Sequence, residues 1–129
     1  MQGGATTQFA AIPLNLLNIP MEGVDTPTAN YIVSGVWSQK AAEEASKYLA
    51  VNVIASNKHT KHTTLPERTA TADAVARPLY TYVCVNETVH GVEMDDAFAR
   101  ALAGDGLLVG DLSSNFCSKP VDVASYDVI

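Results

Sequence analysis

Positive charge is scarce in this chain. Its 8 lysines and arginines stand against 14 aspartates and glutamates, giving a formal net charge of −6 and a pI near 4.8. That balance argues against nucleic acid or an anionic membrane as a partner. Cysteine is scarcer: Cys84 in an expected strand and Cys117 in an expected loop make neither a disulfide framework nor a metal spacing. Such usage fits a reducing cytosol, so a cytoplasmic setting is expected. No apolar run approaches the length of a membrane span. Met1-Gln2-Gly3-Gly4 also lacks the basic start and apolar segment of a secretory signal. Without that signal, the glycosylation triplet Asn86-Glu87-Thr88 reads as accidental. Neither a G-x-G-x-x-G nor a Walker pattern occurs, and there is no internal repeat or low-complexity tract. His59 and His62 could face one way on a helix, but no helical apolar period surrounds them and no third ligand lies near. No metal site is expected there.

What remains is one domain's worth of chain, 129 residues, organised around Leu107-Leu108-Val109-Gly110-Asp111-Leu112-Ser113-Ser114-Asn115. A short apolar run bounded by Gly106 and by Ser113–Asn115 reads as a strand. Its lack of alternation predicts cover on both faces and hence a parallel sheet. Asp111 then falls at the strand's carboxyl end, where open α/β sheets bind ligands. An acid there either meets something positive or caps the following turn through Ser113.

Upstream, Gly3-Gly4 leads into a helix whose N-terminus lies near Thr6 or Thr7. Phe9, Ile12, Leu16 and Leu17 form its buried stripe, and Pro13 is expected to bend the helix or end it early. Free amides at such a start, reached past glycine, suit a phosphate. Residues 18–29 read as a loop, Asn30–Ser34 as a strand, and Gly35 as the turn that puts Trp37 at the mouth of a second helix. On that helix Ala41, Ala45, Tyr48 and Leu49 line one side. Lys40–Glu44 and Glu43–Lys47 are expected to pair on the other. Trp37 lies off the stripe, free either to pack in the core or to stack on a flat ring. Val51–Ala55 is a third strand, 57–78 a polar connector, and Leu79–Val85 a strong strand ending in the polar run Asn86–Gly91. Asp95 to Ala103 reads as a helix capped by Asp95 and stopped by Gly104, and a last strand starts at Tyr126–Ile129. Strands and helices alternate, which indicates an α/β fold: a mostly parallel open sheet with flanking helices. Both ends read as cut through a larger fold.

The strand ends thus offer a phosphate seat at Gly4–Thr6, a flat aromatic in Trp37, a hydroxyl in Thr88 and a carboxylate in Asp111. Pyridoxal 5′-phosphate would use all of them, and an acid opposite its pyridine nitrogen is the partner it needs. The motifs Gln2-Gly3-Gly4-Ala5-Thr6-Thr7-Gln8-Phe9, Ser34-Gly35-Val36-Trp37-Ser38-Gln39-Lys40-Ala41, Asn86-Glu87-Thr88-Val89-His90-Gly91 and Asp111-Leu112-Ser113-Ser114-Asn115, continued by Ser118–Val123, resemble phosphoserine aminotransferase. The resemblance covers nearly the whole chain and is loosest at 57–78 and 95–106.

It implies the large, cofactor-binding domain of a fold-type-I aminotransferase, of which residues 1–129 would be part. It also implies a homodimer that exchanges an amino group between glutamate and 3-phosphohydroxypyruvate, giving 2-oxoglutarate and phosphoserine, in serine biosynthesis. By motif, the amides of Ala5 and Thr6 would hold the cofactor phosphate, Trp37 would stack on the pyridine ring, Thr88 would bond its phenolic oxygen, and Asp111 would pair with its nitrogen. Thr6 stands where members of the family carry arginine or serine, so only a backbone role carries over. Val36 in place of an aromatic and Phe116-Cys117 in place of aliphatics are packing changes. The family's Gly-Ala-Gln-Lys motif, whose lysine forms the Schiff base, is missing, and Lys40, Lys47, Lys58, Lys61 and Lys119 lie in other contexts. No catalytic residue is therefore assigned, and the chain alone is expected to be inactive, as a fragment of the enzyme. The alternative is a non-catalytic module of the same fold that binds a phosphorylated ligand or a partner subunit.

Overall fold

The computed structural model describes all residues except 1, 2, 21, 22, 24, 25, 74 and 76. Gln2 of the first motif, and part of the loop expected at 18–29, lie outside the described residues.

The order is α1 (Gly4–Leu16), β1 (Thr28–Val33), α2 (Val36–Ala45), β2 (Ala50–Ser56), β3 (Glu67–Arg68), β4 (Thr81–Cys84), β5 (Asn86–Glu87), β6 (Val92–Glu93), α3 (Asp96–Ala103) and β7 (Leu108–Asp111). One sheet runs β3-β2-β1-β4-β7, with β5 and β6 forming a separate two-stranded ribbon. Strands β2, β1, β4 and β7 are mutually parallel. The expected class, a mostly parallel α/β sheet with flanking helices, is therefore the one found.

Side-chain alternation explains how both faces come to be covered. Tyr31, Val33, Tyr82, Cys84 and Val109 point to one face, where Phe9 of α1 and Ala41, Ala42 and Ala45 of α2 meet them. Ile32, Ile54, Val83 and Leu108 point to the other, beneath Ala99 and Leu102 of α3. Residues of both faces are buried, which is why the strands read as apolar runs rather than alternating ones.

Several local expectations are corrected. Helix α1 runs on through Pro13 to Leu16 although Pro13 has no N–H to return to the Phe9 carbonyl. Pro13 and Phe9 are both buried, and that packing outweighs the lost bond. Strand β1 begins at Thr28, inside the expected loop, because the Thr28 carbonyl accepts from Leu79 N at 2.7 Å. The polar connector also contains local structure. It carries a 3-10 turn at Lys58–Thr60, and β3 pairs antiparallel with β2 through Ala55–Arg68 and Ser56–Glu67. The ion pairs expected on α2 are replaced. Glu44 takes Lys47 at 2.5 Å, Gln39 takes Glu43 at 2.8 Å, and the Lys40 ammonium sits 5.0 Å above the Trp37 ring. Tyr48 lies beyond the end of α2 and is exposed. The expected last strand is reduced to one parallel bridge, Val128 beside Val109. Helix α3 follows its sequence signals: the Asp95 carboxylate accepts from Phe98 N at 2.7 Å, and the helix stops at Gly104, whose φ is 69°.

Candidate functional site

The chain leaves β1 for β2 on one side and returns to β4 on the other, so the strand order reverses between β1 and β4. Loops at the carboxyl ends of such strands diverge and open a crevice between them. Two segments flank it: Ser34–Trp37 after β1 and Asn86–His90 after β4. Next to β4, Asp111 ends β7 in register with Cys84.

The first segment is held by the second. Glu87 is completely buried. Its carboxylate accepts from Trp37 N at 3.0 Å, Ser38 N at 2.7 Å and the Ser38 hydroxyl at 2.5 Å. These amides belong to the first turn of α2 and have no intrahelical acceptor, and a negative group suits that end of the helix dipole. The backbone of Gly35 is extended, so its torsions do not demand glycine. Contact does: a Cβ there would lie 2.6 Å from the Glu87 carboxyl. One residue on, the Thr88 hydroxyl accepts from the Trp37 indole N–H at 3.1 Å.

Asp111 is half-exposed and heavily bonded. Its Oδ1 accepts from Ser113 N at 3.0 Å and the Ser113 hydroxyl at 2.6 Å, so the turn-capping role read from sequence is present. Its Oδ2 accepts from the Tyr82 hydroxyl at 2.8 Å. A carboxylate offers about four acceptor positions, and these donors take three of them. Burial first, and then the Asp111 charge, push the Tyr82 hydroxyl well above its ordinary pKa, so it remains a proton donor. Burial, with Glu87 and Asp111 nearby, likewise pushes the Cys84 thiol up.

A cavity of about 870 Å³ opens beside Asp111, lined also by Ala5, Phe9, Tyr82, Ser113 and Phe116. Ala5 stands in the first turn of α1. Among the described residues no side chain caps that helix start, and no acid stands in its first turn. Thr6 is exposed beside it.

The structure therefore brings the sequence-derived residues together as two pairs. Ala5 and Asp111 share the cavity, while Trp37 and Thr88 are bonded to each other and are not part of its lining. Asn86 joins the two groups: its side-chain amide donates to the Ser114 hydroxyl at 3.0 Å, which in turn donates to the Asn86 carbonyl at 2.9 Å. Sequence reasoning missed Glu87, Tyr82 and Asn57. Asn57 is fully buried, donates to the Ser34 and Thr64 carbonyls at 3.1 and 2.6 Å, and accepts from His62 at 2.5 Å. The polarity of Glu87 and Asn57 at strand ends was the available signal. His62 instead lies against His90, ring centroids 4.6 Å apart, and His59 lies 3.8 Å from Glu67. Among the described residues no three metal-binding side chains cluster. No helix among them is long and apolar enough to cross a membrane.

No protein-family profile matches the chain. Individual proteins match all of it. It is 48% identical to "Phosphoserine aminotransferase 1, chloroplastic" of Arabidopsis thaliana, 46% to the phosphoserine aminotransferase of Drosophila melanogaster and 45% to that of Pseudomonas aeruginosa. It spans 28%, 33% and 33% of their lengths. Among solved structures, phosphoserine aminotransferase from Bacillus circulans subsp. alkalophilus superposes with a TM-score of 0.78 at 36% identity, covering 98% of this chain and 32% of that one. The PLP-bound enzyme from Trichomonas vaginalis superposes with a TM-score of 0.68 at 31% identity, covering 92% of this chain and 33% of that one. By sequence and by fold the chain is similar to phosphoserine aminotransferases, of whose length it spans about a third.

Proposed function

We propose that the chain forms part of the pyridoxal 5′-phosphate-binding domain of a phosphoserine aminotransferase. The enzyme would be a cytoplasmic homodimer that exchanges an amino group between glutamate and 3-phosphohydroxypyruvate in serine biosynthesis. The observation that carries this reading is that Asp111, held by Tyr82 and Ser113, lines the same cavity as Ala5 in the first turn of α1. An N–H donor on a flat ring and a phosphate at its other end are what those two features would accept together.

When bound, pyridoxal 5′-phosphate supplies the electron sink that transamination needs. The chain's own residues would seat and tune it. The amides of Ala5 and Thr6, at the positive end of α1, would hold the phosphate. Asp111 would keep a proton on the ring nitrogen, since an opposite charge at contact distance favours the charged form. Thr88 already accepts from the indole, so its own proton remains free for the phenolic oxygen. Trp37 has Lys40 over one face of its ring and would stack through the other. No catalytic residue is assigned within the chain, because none of its lysines stands in the family's lysine motif.

The test is a titration of the protein with pyridoxal 5′-phosphate and, separately, with pyridoxal, followed by Trp37 emission. Saturable quenching is expected that weakens when the phosphate is absent and weakens again in Asp111→Asn. No saturable quenching, or equal affinity for the two ligands, would sink the reading.

A further inference from the structure

Trp37 is the chain's only tryptophan, and in the proposed function it carries the ring stack. A stacking ring must be held at a fixed place and tilt, yet Trp37 stands at the second position of a helix start, where chains fray. The structure answers with two consecutive residues from β5 and the turn after it. Glu87 ties down the backbone through Trp37 N and Ser38 N, and Thr88 ties down the side chain through the indole N–H. The Ser38 hydroxyl joins them: it donates to Glu87 and accepts from Ser34 N and Gly35 N at 2.9 and 3.2 Å. The turn before Trp37 is thereby bound to the same carboxylate.

We infer that Glu87 is a positioning residue, holding the first turn of α2 so that Trp37 meets a flat heteroaromatic ligand in one fixed pose. The inference rests on the proposed function for the identity of that ligand, but the hold on Trp37 is independent of it. Two features set Glu87 apart from ordinary helix capping. An N-cap side chain normally comes from the residue just before the helix, whereas this one comes from 50 residues away. It is also wholly buried, and the chain keeps glycine at position 35, where any side chain would push the carboxylate off the helix end.

Glu87→Gln preserves shape but leaves only one acceptor oxygen for donors that now use two, and points an amide N–H₂ at a backbone N–H. The expected results are a lower Trp37 fluorescence anisotropy, a weaker near-UV circular dichroism band of the indole, and a fall in pyridoxal 5′-phosphate affinity on the order of tenfold. Asp95→Ala, which removes the cap of α3 on the opposite face of the sheet from α2, serves as the control. It should lower the melting temperature without moving any of the three signals.

Should Glu87→Gln not fold, hydrogen exchange on the unsubstituted protein decides. The Trp37 and Ser38 amides should exchange about 10²-fold more slowly than free amides, although no intrahelical acceptor protects them. Unchanged anisotropy and affinity in a folded Glu87→Gln, or free-chain exchange at those two amides, would overturn the inference. If the cofactor leaves the emission of the unsubstituted protein unchanged, the proposed function fails instead. The anisotropy and the exchange rates then still report whether Glu87 holds Trp37.

Discussion

Removing one oxygen atom from Tyr82 tests how the carboxylate of Asp111 is supported. In Tyr82→Phe the ring keeps its place, stacked on Tyr31 at 5.1 Å between centroids and edge-on to Phe9 at 6.3 Å, so packing is conserved. Only the 2.8 Å bond to Asp111 Oδ2 is lost. A hydrogen bond to a charged group contributes about 1.5–3 kcal/mol. Asp111 is half-exposed, and water can replace part of the loss, which leaves an expected cost of about 1–2 kcal/mol. Globular proteins unfold with an entropy of about 2.1 cal/mol/K per residue, so a chain of 129 residues should melt about 4–7 °C lower. The assay is thermal unfolding by circular dichroism of Tyr82→Phe, Asp111→Ala and the double variant. Coupling in that cycle isolates the bond from effects of the ring. Tyr82 keeps its proton beyond pH 10.0, the ordinary tyrosine value, so its donor role should persist throughout the neutral range. A loss below about 0.5 kcal/mol, or two single effects that simply add, would refute the assignment of Tyr82 as a support for Asp111.

Gly35→Ala should destabilise by about 1–3 kcal/mol, because its new methyl would sit 2.6 Å from the Glu87 carboxyl in a closed space; urea unfolding with a wild-type midpoint would contradict this. Burial first, and then His90, hold the His62 pKa below the ordinary 6.5. The unfolded chain therefore binds more protons in the window below 6.5, and stability should fall as pH drops through it. His62→Asn should flatten that part of a pH–stability curve, and a slope unchanged by the substitution would point to another group. In a transaminase containing this chain, Asp111→Asn should slow the glutamate half-reaction by about 10²–10³, which corresponds to roughly 3–4 kcal/mol of transition-state stabilisation. Cofactor content should fall less than the rate, and a normal single-turnover rate would return Asp111 to turn capping alone. The chain by itself, mixed with cofactor, glutamate and 3-phosphohydroxypyruvate, should form no phosphoserine; measurable turnover would require a base that the sequence does not announce.

What the sequence determined by itself is what neighbours along the chain decide. The apolar runs at 79–85 and 107–111 marked strands buried on both faces because an unalternating run has no face left for water. Asp95 and Gly104 bounded α3 through contacts within four residues, and Ser113 after Asp111 wrote its turn in the same way. The positions of the motif residues were also legible, since each lies beside the end of a strand or the start of a helix. Partners chosen across the sheet were not. Tyr82 reaches Asp111 across 29 residues, and Glu87 reaches Trp37 across 50, only because β4 lies between β1 and β7. Lys47 lies within reach of both Glu43 and Glu44, and the folded surface selected Glu44. The strand order is set by which apolar faces can be buried together, a property of the whole chain. It alone turned a buried glutamate into the anchor of a tryptophan.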